Sequence, residues 1–523
     1  MPVLPKPLFV LRTSWQTARM ARRLQRANTA AQTQQQTLTD LLGEIAVTAY
    51  GRDLGISAGM SYDEFKARVP VRDHDQLTPY FQRIKDGEPN VLWPGHCHWY
   101  VESAGTTGKP KWLPVTPALL AHFEKAEADA LLYYTARIGD TDVFRGRHVS
   151  LAPLLTFLPI EKSESPAAGE LSPAASPSWG APQLAELFAT DEATNDWPKR
   201  IEAIVTRTLR MDITLLAGIP NWLLALSESL RSRASAEGIP GTTLKTIWPG
   251  LDCIVHHGIL VAPFQDELKR AAGSAVNLHE IYFASEAFVA AQDADTASGL
   301  RLMEDSGVFY EFLPLRDFED SLPLTIAAKA LSLPQVRTGE NYVLLVTTPA
   351  GLCRYVVGDI VRFTSIDPPR IIHVGRTQLR LNAFEENVQE KDLTDSIVAV
   401  CQRHGWTITN FHVAPQFAAS LTGQARGRHE WWIELRPGTN QTPTGPILAA
   451  HIDAELTKRS ETYATKRQHG RIESPVVRLV MPRFFAHWLE HQKKWGGQKK
   501  MSRCRSDRLV GDEFATLACF NAD

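Results

Sequence analysis

Residues 102–111 read ESAGTTGKPK, and they follow a stretch, residues 98–102, that predicts a β-strand. Gly105 and Gly108 let the backbone turn tightly and come close to a bound group. Backbone N–H groups in such a loop form a cradle for an anion, and phosphate is the natural guest. The spacing of a Walker loop is absent, so we predict a phosphate-binding loop of another kind, with a hydrophilic hairpin as the alternative. The side chains that add donors or charge are Ser103, Thr106, Thr107, Lys109 and Lys111.

The order of segments around this loop favours an α/β fold, because strand-like and helix-like stretches alternate along the chain. Residues 13–48 and 117–136 have helical patterns, and the second begins with proline, which suits the first turn of a helix. Several short apolar runs between residues 281 and 359 predict a sheet. We therefore predict a large N-terminal domain of β-sheets flanked by helices, residues 1–376, and a smaller α+β domain, residues 377–523.

The composition of the 523 residues is that of a globular protein, with 44% apolar and 22% charged residues. The formal net charge of −2 gives no global attraction to nucleic acid or to a membrane. Charge is uneven, however, since residues 458–508 hold fourteen Lys or Arg against four Asp or Glu. No nucleic-acid-binding motif accompanies this stretch. We therefore expect no nucleic acid, no membrane and no obligate protein as partners.

Cysteine usage and the N-terminal pattern predict the compartment. The six cysteines form no C-x-x-C pair, which is typical of a reducing cytoplasm, and no run of eighteen apolar residues predicts a transmembrane helix. The chain has no acidic residue before Asp40, and Leu8, Leu11 and Trp15 lie at helical spacing. We interpret this start as a basic amphipathic helix, with an organellar transit segment as the alternative, and expect a cytoplasmic protein.

Two further motifs carry aromatic and acidic side chains at the ends of predicted strands. In the run YFASE, residues 282–286, the tyrosine ring can stack on a base and the glutamate can hold Mg²⁺ through oxygen. Asp359 follows Gly358, and an ionised carboxylate can accept hydrogen bonds from two ribose hydroxyls. Each motif is weak alone, since an exposed glutamate after a strand and a Gly-Asp turn are both common.

A fourth motif, GGQKK at residues 496–500, lies in the basic stretch near the C-terminus. A lysine on a glycine-rich loop can move toward a negatively charged transition state and stabilise it. The alternative is a solvated basic loop.

In this order, the four motifs resemble those of the auxin-responsive-promoter family of acyl-acid amido synthetases. That family belongs to the adenylate-forming superfamily, with acyl-CoA synthetases and firefly luciferase. The ending GGQKKMSRCRSDR, residues 496–508, is similar to the family's GGQxKxPRLxNDR, and shorter matches lie at residues 87–95, 218–222 and 308–312. The resemblance covers nearly the whole chain. It implies that the C-terminal domain is a mobile lid on an N-terminal domain that binds ATP and the acyl acid.

The resemblance also implies a role for each matching residue. Tyr282 would lie near adenine, Ser285 beside a phosphate, and Asp359 on the ribose hydroxyls. Glu286 would hold Mg²⁺. The complete set implied for ATP is Ser103, Gly105, Thr106, Thr107, Gly108, Lys109, Tyr282, Ser285 and Asp359. The set implied for catalysis is Lys500 on the mobile domain, Glu286, and Arg376 at the hinge between the domains.

The implied reaction starts with adenylation of a small carboxylic acid, which releases pyrophosphate, and ends with transfer of the acyl group to an amine, expected to be an amino acid. Transfer to the thiol of CoA or of a carrier protein is a second possibility. Candidates for the acyl pocket are Ile219, Trp222 and Phe283, with residues 163–182 as a possible lid. Such pockets are mostly apolar, so we expect an aromatic or hydrophobic acid. For Trp222, a place in the core is the alternative.

The chain departs from the family pattern at positions near these motifs. Ala104 replaces a serine, Ala287 and Glu385 replace glycines, and Val356 replaces an arginine. These departures keep open a third possibility, a non-catalytic relative that binds nucleotide.

Overall fold

The alternation of helical and extended segments produces the predicted α/β architecture in the computed structural model. The structure describes residues 6–25, 29–103, 111–151, 157–160, 185–186, 197–319, 321–418, 427–436, 443–491 and 501–520. These residues divide into two compact units. The first lies within residues 1–189, 201–259 and 268–373, and the second within residues 190–200, 260–267 and 374–523.

The helices of the described ranges are α1 Lys6–Leu24, α2 Ala30–Ile45, α3 Ala49–Asp53, α4 Tyr62–Arg68, α5 His74–Lys85, α6 Pro117–Ile138, α7 Trp197–Thr208, α8 Pro220–Ala236, α9 Leu244–Ile247, α10 Gln265–Ala272, α11 Glu390–His404, α12 Gly445–Arg459, α13 Glu461–Gln468, α14 Phe484–His491 and α15 Leu509–Phe520. In the same ranges, none of the helices combines the length and apolar character needed to cross a membrane.

The strands in these ranges are β1 Trp99–Ser103, β2 Lys111–Val115, β3 Arg147–Ser150, β4 Phe157–Pro159, β5 Ala185–Glu186, β6 Ile213–Gly218, β7 Cys253–His256, β8 Asn277–Phe283, β9 Phe288–Ala291, β10 Leu300–Leu302, β11 Phe309–Pro314, β12 Asn341–Thr347, β13 Tyr355–Ile366, β14 Pro369–Arg376, β15 Arg380–Leu381, β16 Val388–Gln389, β17 Ile408–Phe417, β18 Gly427–Leu435 and β19 Val476–Val480.

The predicted helix at residues 117–136 is confirmed as α6, and its sequence explains both ends. The Thr116 side chain accepts the backbone N–H of Leu119, and Pro117 occupies the first turn. The helix ends at Gly139, whose φ of +89° is the left-handed conformation that glycine adopts most readily. One face of α6 is buried against the sheet, with Phe123, Ala126 and Ala130 in the core.

The eleven-stranded sheet has the order β11-β12-β13-β14-β10-β9-β8-β7-β6-β3-β5. The neighbouring pairs β8–β7, β7–β6, β6–β3 and β3–β5 are parallel. The pairs β8–β9, β9–β10, β11–β12 and β12–β13 are antiparallel. The runs predicted as sheet between residues 281 and 359 are confirmed as β8, β11, β12 and β13. The parallel part matters for function, because the carboxyl ends of β6, β7 and β8 lie at one edge, where α/β folds place their ligands.

The predicted strand at residues 98–102 is confirmed as β1, which pairs antiparallel with β2. The register places Ser103 opposite Lys111, and residues 104–110 lie between them in the sequence. That segment, residues 104–110, lies outside the described residues.

The second unit contains a smaller mixed sheet in which β17 pairs antiparallel with β18, and β18 pairs parallel with β19. Its apolar core joins the sheet to α11 and α12 through Trp431, Ile397 and Ile452. This unit is the predicted α+β element of the fold.

At the start of β13, Arg354 is completely buried and every N–H of its guanidinium has an acceptor. Nε and one Nη donate to Glu311 at 2.9–3.1 Å, and the remaining donors reach backbone carbonyls of Lys66, Val69 and Ala327 at 2.8–2.9 Å. Tyr62 donates a further hydrogen bond of 3.0 Å to Glu311. The ion pair therefore ties β13 to β11 and α4.

Arg354→Met should lower the free energy of unfolding of the first unit by about 3–5 kcal/mol, because it leaves the Glu311 carboxylate buried without its cation. Urea unfolding measures this. The matched control is Arg316→Met, since Arg316 pairs with Glu340 at 3.4 Å on the surface and its loss should cost at most about 1 kcal/mol. The double variant Arg354→Met/Glu311→Leu should recover part of the loss. Equal losses for the two single variants would contradict a special role for the buried pair.

Candidate functional site

The turn between β8 and β9 holds the predicted Ser285 and Glu286 in fixed positions. Ala284 and Ala287 exchange backbone hydrogen bonds of 2.9 and 3.3 Å, so the two polar residues form the tip of a tight hairpin. The carboxylate of Glu286 is buried. Because both flanking strands belong to the large sheet, the turn is anchored on two sides.

A bulge in β13 sets the position of Asp359. Val343 of β12 pairs with Ile360 and Leu345 pairs with Val356, so a single residue of β12 faces three residues of β13. One of those three is Gly358, whose φ of +89° a side chain would disfavour. Bulges of this kind redirect a side chain out of the regular ladder. The Gly-Asp pair that the sequence singled out is therefore the bulge that buries Asp359 in the first unit.

The structure brings Tyr282 and Asp359 into direct contact. The Tyr282 hydroxyl donates a 2.7 Å hydrogen bond to Asp359 Oδ2. His373 of β14 lies beside both, with Nε2 3.6 Å from Asp359 Oδ1 and its ring centroid 5.3 Å from the tyrosine ring. A buried carboxylate, a tyrosine and a half-buried histidine thus lie together.

The buried hydroxyl of Tyr355, the first residue of β13, lies within electrostatic reach of Glu286. Burial and the negative charge of Glu286, with smaller contributions from Asp73 and Asp75, raise the pKa of Tyr355 well above its usual value. The tyrosine therefore stays protonated and can donate to the carboxylate. Since β13 also carries Asp359, this strand approaches both acidic groups of the site.

The acyl-pocket candidates gather at the carboxyl edge of the parallel strands. Ile219 follows β6 directly, and Trp222 lies buried in the first turn of α8. Phe283 ends β8, and its ring lies 4.9 Å from the ring of His257, which follows β7. In the pairing of the strands, Gly218 is level with His256. The three predicted residues therefore share one edge with a histidine that the sequence analysis did not select.

The structure describes only some of the other predicted residues. Arg376 ends β14 in the second unit, where Leu379 N donates 3.0 Å to its carbonyl. Ser103 ends β1, but its side chain lies outside the described part. The predicted residues that lie wholly outside it are Gly105, Thr106, Thr107, Gly108, Lys109 and Lys500, together with the suggested lid at residues 163–182.

Sequence reasoning missed three residues of the site, and each had a weak signal. His373 lies three residues before Arg376 in the strand run IIHVGR, and Tyr355 opens the run that leads to Asp359. His257 follows the run DCIVH, whose centre is apolar, at the end of a parallel strand. All three residues have polar rings and lie directly beside apolar strand runs in the sequence. None belongs to a motif that names a reaction.

Three departures from the family pattern have physical explanations in the structure. Ala287 is fully buried and its φ is not positive, so the turn does not require glycine there. Val356 packs in an apolar cluster with Val71 and Leu345. Glu385 has a φ of +62°, a conformation that glycine adopts at lower cost.

The fold is that of adenylate-forming ligases. A solved 2-hydroxyisobutyryl-CoA ligase in complex with 2-HIB-AMP matches 94% of this chain and 91% of its own, with a TM-score of 0.55 at 16% identity. A solved acyl acid amido synthetase in complex with 2,4-DB matches 100% of this chain and 97% of its own, with a TM-score of 0.69 at 17% identity. The predicted fold class is confirmed.

The chain belongs to the GH3 family. The family's N-terminal domain matches residues 20–164, its central domain residues 301–376, and its C-terminal domain residues 391–509. A probable indole-3-acetic acid-amido synthetase of Oryza sativa subsp. japonica is 24% identical over 92% of this chain and 92% of its own length. The predicted family and the predicted class of enzyme, a ligase that forms an amide bond, are confirmed.

Tyr282→Phe should lower the free energy of unfolding by about 1–3 kcal/mol, because the buried Asp359 carboxylate loses a donor. Urea unfolding of the full chain measures the change. Tyr80→Phe is the matched control, since the Tyr80 hydroxyl donates 2.9 Å to Asp53, which is exposed and can be solvated instead. The control should change stability by less than about 0.5 kcal/mol. A loss in the control as large as that in Tyr282→Phe would contradict the importance of this buried bond.

Proposed function

We propose that this chain is an ATP-dependent acyl-acid amido synthetase. It adenylates a small carboxylic acid, releases pyrophosphate, and transfers the acyl group to the amine of an amino acid. Residues 1–376 form the domain that binds ATP and the acid, and residues 377–523 form a mobile lid. The observation that carries the proposal is the Tyr282–Asp359 hydrogen bond beside the Glu286 turn, in a chain of the GH3 family.

In this proposal Asp359 holds the ribose of ATP. An ionised carboxylate offers about four acceptor positions, and Tyr282 uses one of them. The others can accept two ribose hydroxyls. The Tyr282 ring lies near adenine, with His373 beside it as a further polar ring.

Glu286 is the proposed ligand of Mg²⁺. The described residues contain no group of three or more His, Cys, Asp or Glu that could hold a metal. Proteins usually hold Mg²⁺ through one or two carboxylates while substrate phosphates and water complete the shell, and the buried Glu286 can supply one such carboxylate. When bound, the metal neutralises charge on the phosphates. The buried hydroxyl of Tyr355 lies within electrostatic reach of the same carboxylate.

The remaining roles concern the negative charge that develops on phosphorus. A carboxylate oxygen of the acid attacks the α-phosphorus of ATP, and pyrophosphate leaves. Lys500 of the lid, Arg376 and Ser285 stabilise that charge, together with Ser103, Gly105, Thr106, Thr107, Gly108 and Lys109 of the hairpin loop. The amine then attacks the acyl carbon and AMP leaves.

The acid is proposed to be aromatic or hydrophobic, because Ile219, Trp222 and Phe283 supply apolar surface at the carboxyl edge of the strands. The name of the rice relative includes an indole acid, which agrees with this class. The half-buried His257 against Phe283 adds one polar group to the same wall.

We also propose a cytoplasmic location. Five cysteines of the described residues carry free thiols, and four of them are buried. A reducing compartment suits such a protein.

The proposed function is tested by a panel of carboxylic acids with pyrophosphate release as the readout, followed by mass spectrometry with amino acids and with CoA as acceptors. We expect an amide with an amino acid and no thioester. Thioester as the main product would favour the thiol-transferring alternative. Nucleotide binding without turnover on any acid would favour the non-catalytic one.

Asp359→Ala should raise the KM for ATP about tenfold or more, while Asp317→Ala on the surface should not.

Glu286→Gln should raise the Mg²⁺ concentration needed for half-maximal pyrophosphate release by about tenfold or more, because a neutral amide binds the cation weakly. Titration of MgCl₂ at saturating ATP measures the shift. Glu340→Gln, on the surface beside Arg316, is the control and should leave the titration unchanged. A slower enzyme with an unshifted Mg²⁺ titration would show that Glu286 acts through Tyr355 and not on the metal.

A further inference from the structure

The helix α1 has an inner face that the structure explains fully. Phe9, Thr13 and Met20 are buried, and Phe9 packs edge-to-face on Phe144 with ring centroids 5.9 Å apart. Thr17 and Thr135 share a 2.8 Å hydrogen bond that joins α1 to α6. The match to the family's N-terminal domain begins at residue 20, so most of α1 lies outside the part that the family model describes.

The opposite face of α1 carries large apolar side chains that no part of the described chain covers. Leu8, Leu11 and Trp15 are 53%, 68% and 61% exposed. Their spacing of three and four residues places them on one stripe of the helix. Leaving this much apolar surface in water is unfavourable, and a contiguous exposed stripe marks a site of interaction.

Arginines share this stripe and give it a single sign of charge. Arg12, Arg19 and Arg22 are exposed, and Arg19 lies 5.6 Å from the centre of the Trp15 ring. Among the described residues no carboxylate pairs with any of these three arginines. The stripe extends about 21 Å along the helix at 1.5 Å per residue.

The carboxylates near α1 lie on its inner side and are already paired. Arg23 forms ion pairs with Asp129 and Asp305, and Lys125 pairs with Asp129 at 3.1 Å. These pairs offset the acidic charge closest to the helix. The outer stripe therefore presents leucine, tryptophan and arginine together, without an acidic side chain on α1 itself.

We propose that this outer face of α1, which we call the α1 stripe (Leu8, Leu11, Arg12, Trp15, Arg19 and Arg22), binds an anionic membrane surface. Interfacial helices combine the two features that it shows, since their apolar side chains enter the boundary of the acyl chains while arginines meet anionic headgroups. Nucleic acid would use the arginines but has no need of exposed leucines. A second copy of this chain would present the same positive charge and be repelled.

This inference departs from the expectation drawn from net charge, which concerned the chain as a whole. A net charge of −2 describes the average surface, whereas membrane attraction acts on charges within about 10 Å of the headgroups. The proposal is independent of the catalytic one, because the α1 stripe contains none of the residues assigned to ATP or the acyl acid.

The test is flotation of the purified full chain with vesicles of phosphatidylcholine alone, or with about one third phosphatidylglycerol. We expect binding only to the anionic vesicles. Leu11→Ser/Trp15→Ser should weaken binding about tenfold or more, because it removes the apolar contact. The triple change of Arg12, Arg19 and Arg22 to Gln should weaken it about a hundredfold, at about fivefold per arginine.

Matched controls separate the α1 stripe from exposed leucine and arginine elsewhere in the first unit. Leu324→Ser removes a leucine that is 80% exposed elsewhere in the first unit. A control triple variant, Arg145, Arg210 and Arg316 to Gln, makes the same change of charge at side chains that are 65–73% exposed. Both controls should bind vesicles like the unchanged chain. Thermal unfolding of every variant confirms that the fold is kept.

The outcomes decide the proposal. Anionic-vesicle binding that falls in both α1 variants and in neither control supports it. Binding that falls equally in the control triple shows general charge attraction and overturns it, as does an absence of vesicle binding. A dimer on light scattering that Leu11→Ser/Trp15→Ser converts to monomer overturns it in favour of a second copy. Capture by DNA that depends on the three arginines, without vesicle binding, overturns it in favour of nucleic acid.

Discussion

The hydrogen bond between Tyr282 and Asp359 is the constraint on which the candidate site depends. Tyr282 lies on β8 and Asp359 on β13, and three strands separate them in the order of the sheet. In a flat sheet, strands four positions apart would be about 19 Å distant, at 4.8 Å per position. A contact of 2.7 Å therefore requires the sheet to curl strongly between them. The curl brings the tip of the β8–β9 hairpin close to the bulge in β13. The buried hydrogen bond between Tyr282 and Asp359 in turn holds these two parts of the sheet together.

Different structural features fix the two ends of the curl, on β13 and on β8. On β13, the bulge around Gly358 buries Asp359, and the fully paired Arg354 fixes the entry of the strand against Glu311. On β8, the site residues occupy a tight hairpin tip that leaves them little freedom. A buried carboxylate needs hydrogen-bond donors, so the position of Tyr282 is an electrostatic requirement as much as a packing one.

Local sequence pattern predicted the elements of the site but not their meeting. Local motifs identified Tyr282, Glu286 and Asp359, because each depends on a few neighbouring residues. The predicted strand end was wrong for Asp359, which lies at a bulge inside β13. The 77-residue separation between Tyr282 and Asp359 carries no local signal, so only the resemblance placed both around one nucleotide, and their direct contact was not predicted. His373 and His257 were missed for the same reason, since an isolated histidine beside an apolar strand gains its role only from residues far along the chain. The hairpin loop at residues 104–110 and Lys500 remain predictions.

Strand geometry separates the two substrates that the proposed reaction brings together. The pairing of β8 with β9 is irregular between Tyr282 and Phe283, and the two neighbours contact different groups: Tyr282 bonds to Asp359, while Phe283 packs against His257. The proposed nucleotide side is constrained by a buried carboxylate and by the curl of the sheet. The proposed acyl side is constrained only by the packing of rings, which tolerates changes of similar volume. One backbone position thus divides the proposed ATP site, which is tightly constrained, from the proposed acid site, which tolerates changes in packing.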